Sequence, residues 1–333
     1  MRYFSTFTGI GGFELGIIKA YESNNEHALI SEKSEQEERP QGRFWPTDKH
    51  GVQLHSGDGT TPLCVGYSEI DKYAVQIYQS HFPEHKNYGD ITKINATELP
   101  DFDLFVGGFP CQAFSIAGKR GGFDDTRGTL FFDCARILKE KRPRNFILEN
   151  VKGLLSHDNG NTFKTIIATL VELGYCVEWQ VLNAKNFGVP QNRERVFIVG
   201  HLGGIPERKV FPIGKDGGEV IELQRHTANT LTARYEPAQA TGTYIGESKR
   251  DAQKIVPYAD GRKGRSSMHA HRVPEIGNEK QSIRRLTPLE CERLMGYPDG
   301  WTEGVSDTQR YKTLGNGIVS NVVAEVVKRI IDK

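Results

Sequence analysis

The sequence has few cysteines and almost no net charge, and both shortages narrow the possible functions. Five cysteines occur among 333 residues, an odd number, and no two of them have Cys-x-x-Cys spacing. A disulfide framework or a structural zinc site is therefore not expected, and we predict no metal. The formal net charge is only +1. Any contact with nucleic acid must then come from local basic patches rather than from a global field.

Long apolar runs are also missing from the sequence. No segment approaches the run of about 18 apolar residues that a membrane helix needs. The apolar stretch at residues 1–5 is too short for a signal peptide. We therefore predict a cytoplasmic protein with no membrane partner. Its composition, with 37% hydrophobic and 26% charged residues, is ordinary for a globular chain that forms one large domain or two smaller ones.

Strand and helix patterns alternate over the first 200 residues. Strands are predicted at 3–7, 63–68, 102–106, 145–148, 176–182 and 195–200. Helices are predicted at 13–21, 72–82, 129–141 and 161–173. Strands separated by helices of this length favour a parallel sheet with right-handed crossovers. The fold class is therefore predicted to be α/β, with a doubly wound, mostly parallel sheet.

Three regions depart from this alternation. Residues 22–62 are polar and acidic and are predicted to be an exposed insertion. Residues 201–285 are rich in glycine, proline and basic side chains, which indicates a second, smaller and irregular lobe. Helical patterns return at 288–295 and 318–331. We expect domain boundaries near residues 200 and 285.

A glycine-rich turn lies between the first predicted strand and helix, at Thr8-Gly9-Ile10-Gly11-Gly12. Glycines let a backbone approach a ligand closely, and the helix N-terminus favours an anionic group, so the turn could hold a nucleotide-type cofactor. Glu69 follows the second strand, where an acid could bind ribose hydroxyls. Asp90-Ile91 follows the next helix, where an adenine amino group could be read. A plain tight turn and two surface acids are the alternative interpretation.

Two further motifs follow the ends of predicted strands, the edge where open α/β sheets place their ligands. Cys111 lies in the loop that begins Gly107-Gly108-Phe109-Pro110, and this setting favours a nucleophile over a buried apolar cysteine. Glu149 ends the next strand, where burial would raise its pKa and make it a proton donor. The alternative for Glu149 is an acid satisfied by a neighbouring helix.

Arg193 and Arg195 alternate at strand spacing within Gln191-Asn192-Arg193-Glu194-Arg195, so both are predicted to face one side. They could hold an anion or steady the carbonyl of a base. A solvated edge strand is the alternative.

Together these motifs resemble the cytosine-C5 DNA methyltransferase family, in the family's order and over almost the whole chain. The late segments Arg285-Leu286-Thr287-Pro288-Leu289-Glu290-Cys291, Gly296-Tyr297-Pro298 and Leu314-Gly315-Asn316-Gly317 also match. The resemblance implies a Rossmann-like fold with S-adenosylmethionine as cofactor, a catalytic domain over 1–200, a target-recognition domain over 201–285 and a segment over 286–333 that returns to the catalytic domain. It implies a set of cofactor-binding residues: Phe7, Thr8, Gly9, Gly11, Gly12, Phe13, Glu69, Ile70, Asp90, Ile91, Gly107, Pro110 and Asn316.

The resemblance also implies a covalent mechanism on double-stranded DNA. Cys111 attacks C6 of a flipped-out cytosine, Glu149 acts at N3, Arg193 or Arg195 orients the base, and the methyl group moves to C5. The predicted DNA contacts lie in the loop after the nucleophile and in the basic lobe: Gln112, Ser115, Lys119, Arg120 and Arg234. A monomer is expected by analogy, with a cognate restriction endonuclease as a functional partner rather than a physical one.

Four other functions were weighed. An RNA (tRNA) cytosine-C5 methyltransferase would share the chemistry, although the basic lobe favours duplex DNA. A catalytically inactive DNA-binding homologue would have no need of Cys111 and Glu149. A flavin or NAD oxidoreductase explains only the glycine turn. A zinc cytidine deaminase needs His-x-Glu and Pro-Cys-x-x-Cys; no histidine here has Glu two residues later, and residue 114 is Phe114.

Overall fold

The computed structural model describes residues 1–33, 61–110, 130–204, 209–214, 228–229, 244–247, 254–256 and 282–331. Its strands, numbered in chain order, are β1 Arg2–Thr6, β2 Leu63–Ser68, β3 Leu104–Gly107, β4 Asn145–Val151, β5 Tyr175–Asn183, β6 Gln191–Asn192, β7 Glu194–Leu202, β8 Ala228–Asn229, β9 Tyr244–Glu247, β10 Lys254–Val256 and β11 Ser282–Arg285. Its helices are α1 Gly12–Lys33, α2 Lys72–His81, α3 Leu130–Lys141, α4 Asn161–Glu172, α5 Pro288–Leu294, α6 Asp307–Asn316 and α7 Ser320–Ile331.

Six strands form the main sheet, in the order β2-β1-β3-β4-β7-β5. The pairs among β2, β1, β3 and β4 are parallel, so the predicted doubly wound, mostly parallel sheet is confirmed. Strand β7 runs antiparallel to both β4 and β5. A parallel return needs a crossover of a dozen or more residues. Only residues 184–193 separate β5 from β7, so the chain reverses direction instead.

Hydrophobic cores cover both faces of this sheet because successive side chains of a strand point to opposite faces. In β1, Tyr3 packs in one core and Phe4 in the other. In β4, Ile147 lies on the side of Tyr3, whereas Phe146 and Leu148 lie on the side of Phe4. Burial on both faces explains the short uninterrupted apolar runs at 146–148 in β4 and 196–199 in β7.

Helix α1 is longer than the sequence pattern predicted. It continues to Lys33, so residues 22–33, which were assigned to an exposed insertion, are helical in their backbone. The rest of that predicted insertion up to residue 60 lies outside the described residues. No helix in the described part of the chain is long and apolar enough to cross a membrane.

The C-terminal segment packs back against the first helix of the chain. A Cβ added at Gly16 of α1 would lie 2.5 Å from Cβ of Val323 in α7, so the two helices are in close contact. The amine of Lys19 donates to the Gly296 carbonyl at 2.5 Å and to Asn321 Oδ1 at 2.8 Å. Helix α7 thus packs on the first helix of the chain, and the carbonyls of Gly315 and Gly317 at the end of α6 bond Arg193, which directly precedes β7.

Candidate active site

The turn between β1 and α1 has a backbone that most residues avoid. Phe7, Gly9 and Gly11 have φ angles of 52°, 59° and 89°. Glycine adopts such angles at little cost, whereas Phe7 does so only under restraint from its surroundings. A Cβ at Gly11 would lie 2.8 Å from the Phe82 ring. Conformation therefore requires glycine at positions 9 and 11, and close packing against Phe82 requires it at Gly11 as well.

Glu69 holds this turn from the neighbouring strand. Its Oε2 accepts a hydrogen bond of 2.8 Å from the Gly9 amide, and its Oε1 accepts bonds of 2.8 Å from the amides of Ile70 and Asp71. The carboxylate is thus fixed in orientation beside the glycine turn. The adjacent Ile70 is 74% exposed, which is unusual for a large apolar side chain next to a fixed acid.

Asp90 and Ile91 lie on the next loop, as the sequence predicted from their position after α2. Asp90 caps a short helical turn at Ile91–Lys93 by accepting from the amide and hydroxyl of Thr92, at 3.0 and 2.8 Å. These hydrogen bonds lower the pKa of Asp90. Ser68, at the end of β2, donates to the carbonyl of Gly89 and so ties this loop to the strand that precedes Glu69.

Strand β3 leads to the loop that carries Cys111. Gly107 packs so closely against the hydroxyl of Thr6 that a side chain there would collide with it. A Cβ at Gly108 would lie 3.1 Å from Oε2 of Glu149. The Glu149 carboxyl group therefore faces the backbone three residues before Cys111.

Asn150 fixes the same loop, and the sequence analysis did not identify it. Its Nδ2 donates a 2.8 Å hydrogen bond to the carbonyl of Phe109, and the side chain is buried. A polar residue at the end of an apolar strand was the available signal, because a buried amide needs a partner. That partner could not be identified from the sequence.

Glu149 forms an ion pair with Arg195, with Oε1 and Nε 2.9 Å apart. The side chains are only 13% and 17% exposed. Burial raises the pKa of Glu149, although the positive charges of Arg195 and Arg193 act in the opposite direction. The acid therefore keeps its proton to a higher pH than an exposed glutamate, which is the property expected of a proton donor.

Arg193 has a different setting from Arg195. It is buried, and its Nη2 donates to the carbonyls of Gly315 and Gly317 at 3.2 and 2.7 Å. These carbonyls flank Asn316, which is exposed at the end of α6. Burial, with repulsion from Arg195, lowers the pKa of Arg193 to about 9. The sequence presented the two arginines as equivalent candidates, whereas the structure gives only Arg195 an ion pair with Glu149.

The structure thus brings three predicted groups together at one edge of the sheet. Glu149 and Arg195 lie beside the loop that leads to Cys111, and the Gly9–Glu69 pair lies at the ends of neighbouring strands. The remaining predicted catalytic and DNA-binding residues lie outside the described residues: Cys111, Gln112, Ser115, Lys119, Arg120 and Arg234.

The family profile described as C-5 cytosine-specific DNA methylase matches residues 55–332. The chain is 39% identical to the Type II methyltransferase M1.ScrFI of Lactococcus lactis subsp. cremoris, over 84% of this chain and 77% of that protein. It is 36% identical to the Type II methyltransferase M.HhaI of Haemophilus parahaemolyticus, over 80% of this chain and 87% of that protein.

Solved structures show the same fold at much lower identity. The crystal structure of the S. pombe Dnmt2 methyltransferase superposes with a TM-score of 0.60 at 17% identity, covering 100% of this chain and 98% of the other. The methyltransferase EhMeth of Entamoeba histolytica gives a TM-score of 0.58 at 16% identity with the same coverage. The family match, the relatives and the geometry at the sheet edge agree: the chain belongs to the C-5 cytosine-specific DNA methylase family and is a DNA cytosine-5-methyltransferase that uses S-adenosylmethionine.

Proposed function

We propose that Cys111 and Glu149 of this enzyme act on a cytosine in one specific sequence of double-stranded DNA. The observation that carries the proposal is the Glu149–Arg195 ion pair, at the end of β4 and against the backbone of Gly108. An acid with a raised pKa and a fixed cation are thereby placed beside the loop that carries a cysteine. This combination suits an addition to a ring whose nitrogen gains electron density during attack.

In the proposed mechanism the Cys111 thiolate adds to C6 of cytosine and makes C5 nucleophilic. An ordinary cysteine has a pKa of about 8.5, so its surroundings must favour the thiolate. Glu149 donates its proton to N3 and so neutralises the charge that develops during attack. Arg195 holds the base by its O2. When bound, S-adenosylmethionine supplies the methyl group that C5 takes up. A base then removes the C5 proton, the N3 proton returns to Glu149, and the bond between Cys111 and C6 breaks to release the thiolate.

The residues around the glycine turn fit S-adenosylmethionine. A Cβ on Gly9 would meet no atom within 4 Å, so open space borders the turn. The fixed carboxylate of Glu69 suits ribose hydroxyls, and the exposed side chain of Ile70 suits the face of an adenine ring. Asp90 suits the adenine amino group, because its carboxylate is ionised at neutral pH. We assign the adenosyl group to this region and the methyl group to the side of Gly107 and Pro110.

The target base must leave the duplex to reach Cys111, and methyltransferases belong to the enzymes that flip bases. We assign phosphate contacts and base readout to the basic lobe over residues 201–285, with Arg234 within it, and closure over the DNA to the loop with Lys119 and Arg120. We further propose a monomer with a cognate restriction endonuclease in the same cell. Its location would be the compartment that holds the DNA, which in a bacterium is the cytoplasm.

Bisulfite sequencing of DNA from a host without cytosine methylation tests the proposal. Expression of the wild-type chain should place 5-methylcytosine in one short sequence context, and Cys111→Ser should place none. The mutant needs a folding control, which is unchanged binding of S-adenosylmethionine. Methylation of tRNA but not of DNA by the purified enzyme would overturn the DNA substrate. Methylation by Cys111→Ser at the wild-type rate would overturn the nucleophile.

A further inference from the structure

The backbone of the glycine turn accepts a hydrogen bond from a tryptophan that lies 291 positions later in the chain. The indole Nε1–H of Trp301 donates a 2.8 Å hydrogen bond to the carbonyl of Ile10, and this bond is buried. Trp301 itself is fully buried. It belongs to the turn between α5 and α6, which no motif of the sequence analysis included.

The position of Trp301 is fixed from three sides. The ring of His81 stacks on the indole with centroids 3.7 Å apart and planes 8° apart, and its Nε2–H donates to the Trp301 carbonyl at 2.7 Å. On either side of Trp301, the amides of Gly300 and Thr302 donate to the buried carboxylate of Glu292 at 2.7 and 2.8 Å. The indole N–H is thus presented to the turn by a rigid support.

The backbone of the turn makes few other long-range hydrogen bonds. The Gly11 amide donates to the carbonyl of Thr8 within the turn itself, at 3.2 Å. The Gly9 amide donates to Glu69, and the Ile10 carbonyl accepts from Trp301. One bond therefore comes from the residue assigned to the adenosyl group, and the other comes from the fully buried Trp301. With Phe7, Gly9 and Gly11 all at positive φ, the turn needs such restraints to keep one conformation.

We propose that Trp301 is a positioning residue for S-adenosylmethionine. Its N–H fixes the Ile10 carbonyl and so holds the turn in the conformation in which Gly9 and Glu69 face the cofactor. The assignment rests on the proposed placement of the cofactor at this turn. It predicts that loss of the N–H weakens cofactor binding and leaves the methyl-transfer step largely intact once the cofactor is saturating, because the indole N–H bonds the Ile10 carbonyl of the turn and neither Glu149 nor Arg195.

The experiment compares two changes at position 301 with two reference variants in the full chain. Trp301→Phe removes the N–H and part of the ring. Site-specific incorporation of benzothienylalanine at position 301 replaces the N–H by sulfur at nearly the same ring size. Tyr175→Phe is the matched control, since Tyr175 is also a buried aromatic donor to a backbone carbonyl, that of Pro143 at 3.0 Å. Glu69→Gln reports whether the cofactor binds at the turn at all. Kd for S-adenosylmethionine is measured by calorimetry, and KM and kcat by methylation of DNA.

Both changes at position 301 should raise Kd and KM for S-adenosylmethionine about three- to tenfold, the cost of one hydrogen bond that leaves a buried acceptor. Tyr175→Phe should lose comparable thermal stability without changing Kd. An unchanged Kd for benzothienylalanine, with a weakened Glu69→Gln, overturns the role of Trp301 and keeps the cofactor site. An unchanged Kd for Glu69→Gln overturns the cofactor placement itself. If Trp301→Phe does not fold, the benzothienylalanine variant decides alone.

Discussion

The side-chain amide of Asn150 and the backbone carbonyl of Phe109 are joined by a 2.8 Å hydrogen bond. This bond links the strand that carries Glu149 to the loop that carries Cys111, two residues after Phe109. The strand that ends on the acid of the proposed reaction is therefore joined directly to the backbone that leads to the nucleophile.

Asn150→Ala should lower kcat by about 10- to 100-fold, because a displacement of the nucleophile by as little as 1 Å has large effects on rate. Its Kd for S-adenosylmethionine should change much less than kcat, since the Gly9–Glu69 pair on the adenosyl side is separate from this bond and only Pro110 of the cofactor site adjoins Phe109. Steady-state methylation and calorimetry measure the two quantities. Asn145→Ala is the control, because Asn145 lies at the other end of the same strand and bonds His201 at 2.9 Å. Equal losses of kcat in the two variants would contradict the positioning role.

Glu149→Gln should reduce kcat by about 10²- to 10⁴-fold, the usual contribution of a positioned proton donor. Because burial raises the pKa of Glu149, the wild-type enzyme needs this group protonated, and kcat/KM should fall as the pH rises through that pKa. The variant has no proton to lose there, so this decline should be absent from its pH profile. A decline at the same pH in Glu149→Gln would assign the titration to another group.

Local sequence patterns predicted most strands and helices well, because burial on both faces and helical periodicity can each be read from residues that are close together in the sequence. Strand β2 has the predicted bounds, and α2 and α3 differ from the prediction by one residue. Apolar periodicity does not reveal the direction of β7, and the available signal was the connection from β5, which is too short for a parallel return. Helix α6 was not predicted because it is mostly polar and so lacks a clear apolar periodicity.

Residues of the site that belong to local sequence motifs could be predicted. Residues that contribute through one contact with a distant part of the chain could not. Glu149 stood out as an acid that ends an apolar strand. Asn150 and Trp301 act through hydrogen bonds to residues 41 and 291 positions away, and no spacing in one sequence reveals such partners. Arg193 and Arg195 have the same side chain and are two residues apart, so the sequence gives no reason to distinguish them. The structure does, because the carbonyls on either side of Asn316 bind Arg193.

The burial of Glu14 should make the free energy of unfolding depend on pH. It is fully buried in α1, and neither carboxyl oxygen has a hydrogen-bond partner among the described residues. Burial raises its pKa from 4.5 to about 7. The ionisable groups coupled to it are Tyr3, Cys64, Tyr67, Tyr78 and Tyr297, all with raised pKa values. Among the described residues, no cation stabilises its ionised form. A raised pKa favours the folded state fully below pH 4.5, and this contribution is lost as the pH rises to about 7.

Urea unfolding of the wild-type chain and Glu14→Gln at pH 5 and pH 8 measures this contribution. Between these pH values the free energy of unfolding of the wild type should fall by up to about 3 kcal/mol more than that of the variant. Equal changes in both proteins would show that Glu14 ionises in the folded state as it does in the unfolded chain.

Replacement of Arg193 should mainly reduce stability, whereas replacement of Arg195 should mainly reduce catalysis. Arg193→Ala leaves the carbonyls of Gly315 and Gly317 without the donor they share, and should lower the free energy of unfolding by about 2–5 kcal/mol. Arg195→Ala removes a partly exposed side chain that binds Glu149 and should retain most of the stability. Its kcat should fall by at least tenfold, because the base loses its cation and Glu149 loses its partner. Thermal unfolding and steady-state methylation of both variants give the comparison. A destabilised Arg195→Ala with a stable, inactive Arg193→Ala would reverse the two assignments, and would make Arg193 the residue that binds the base.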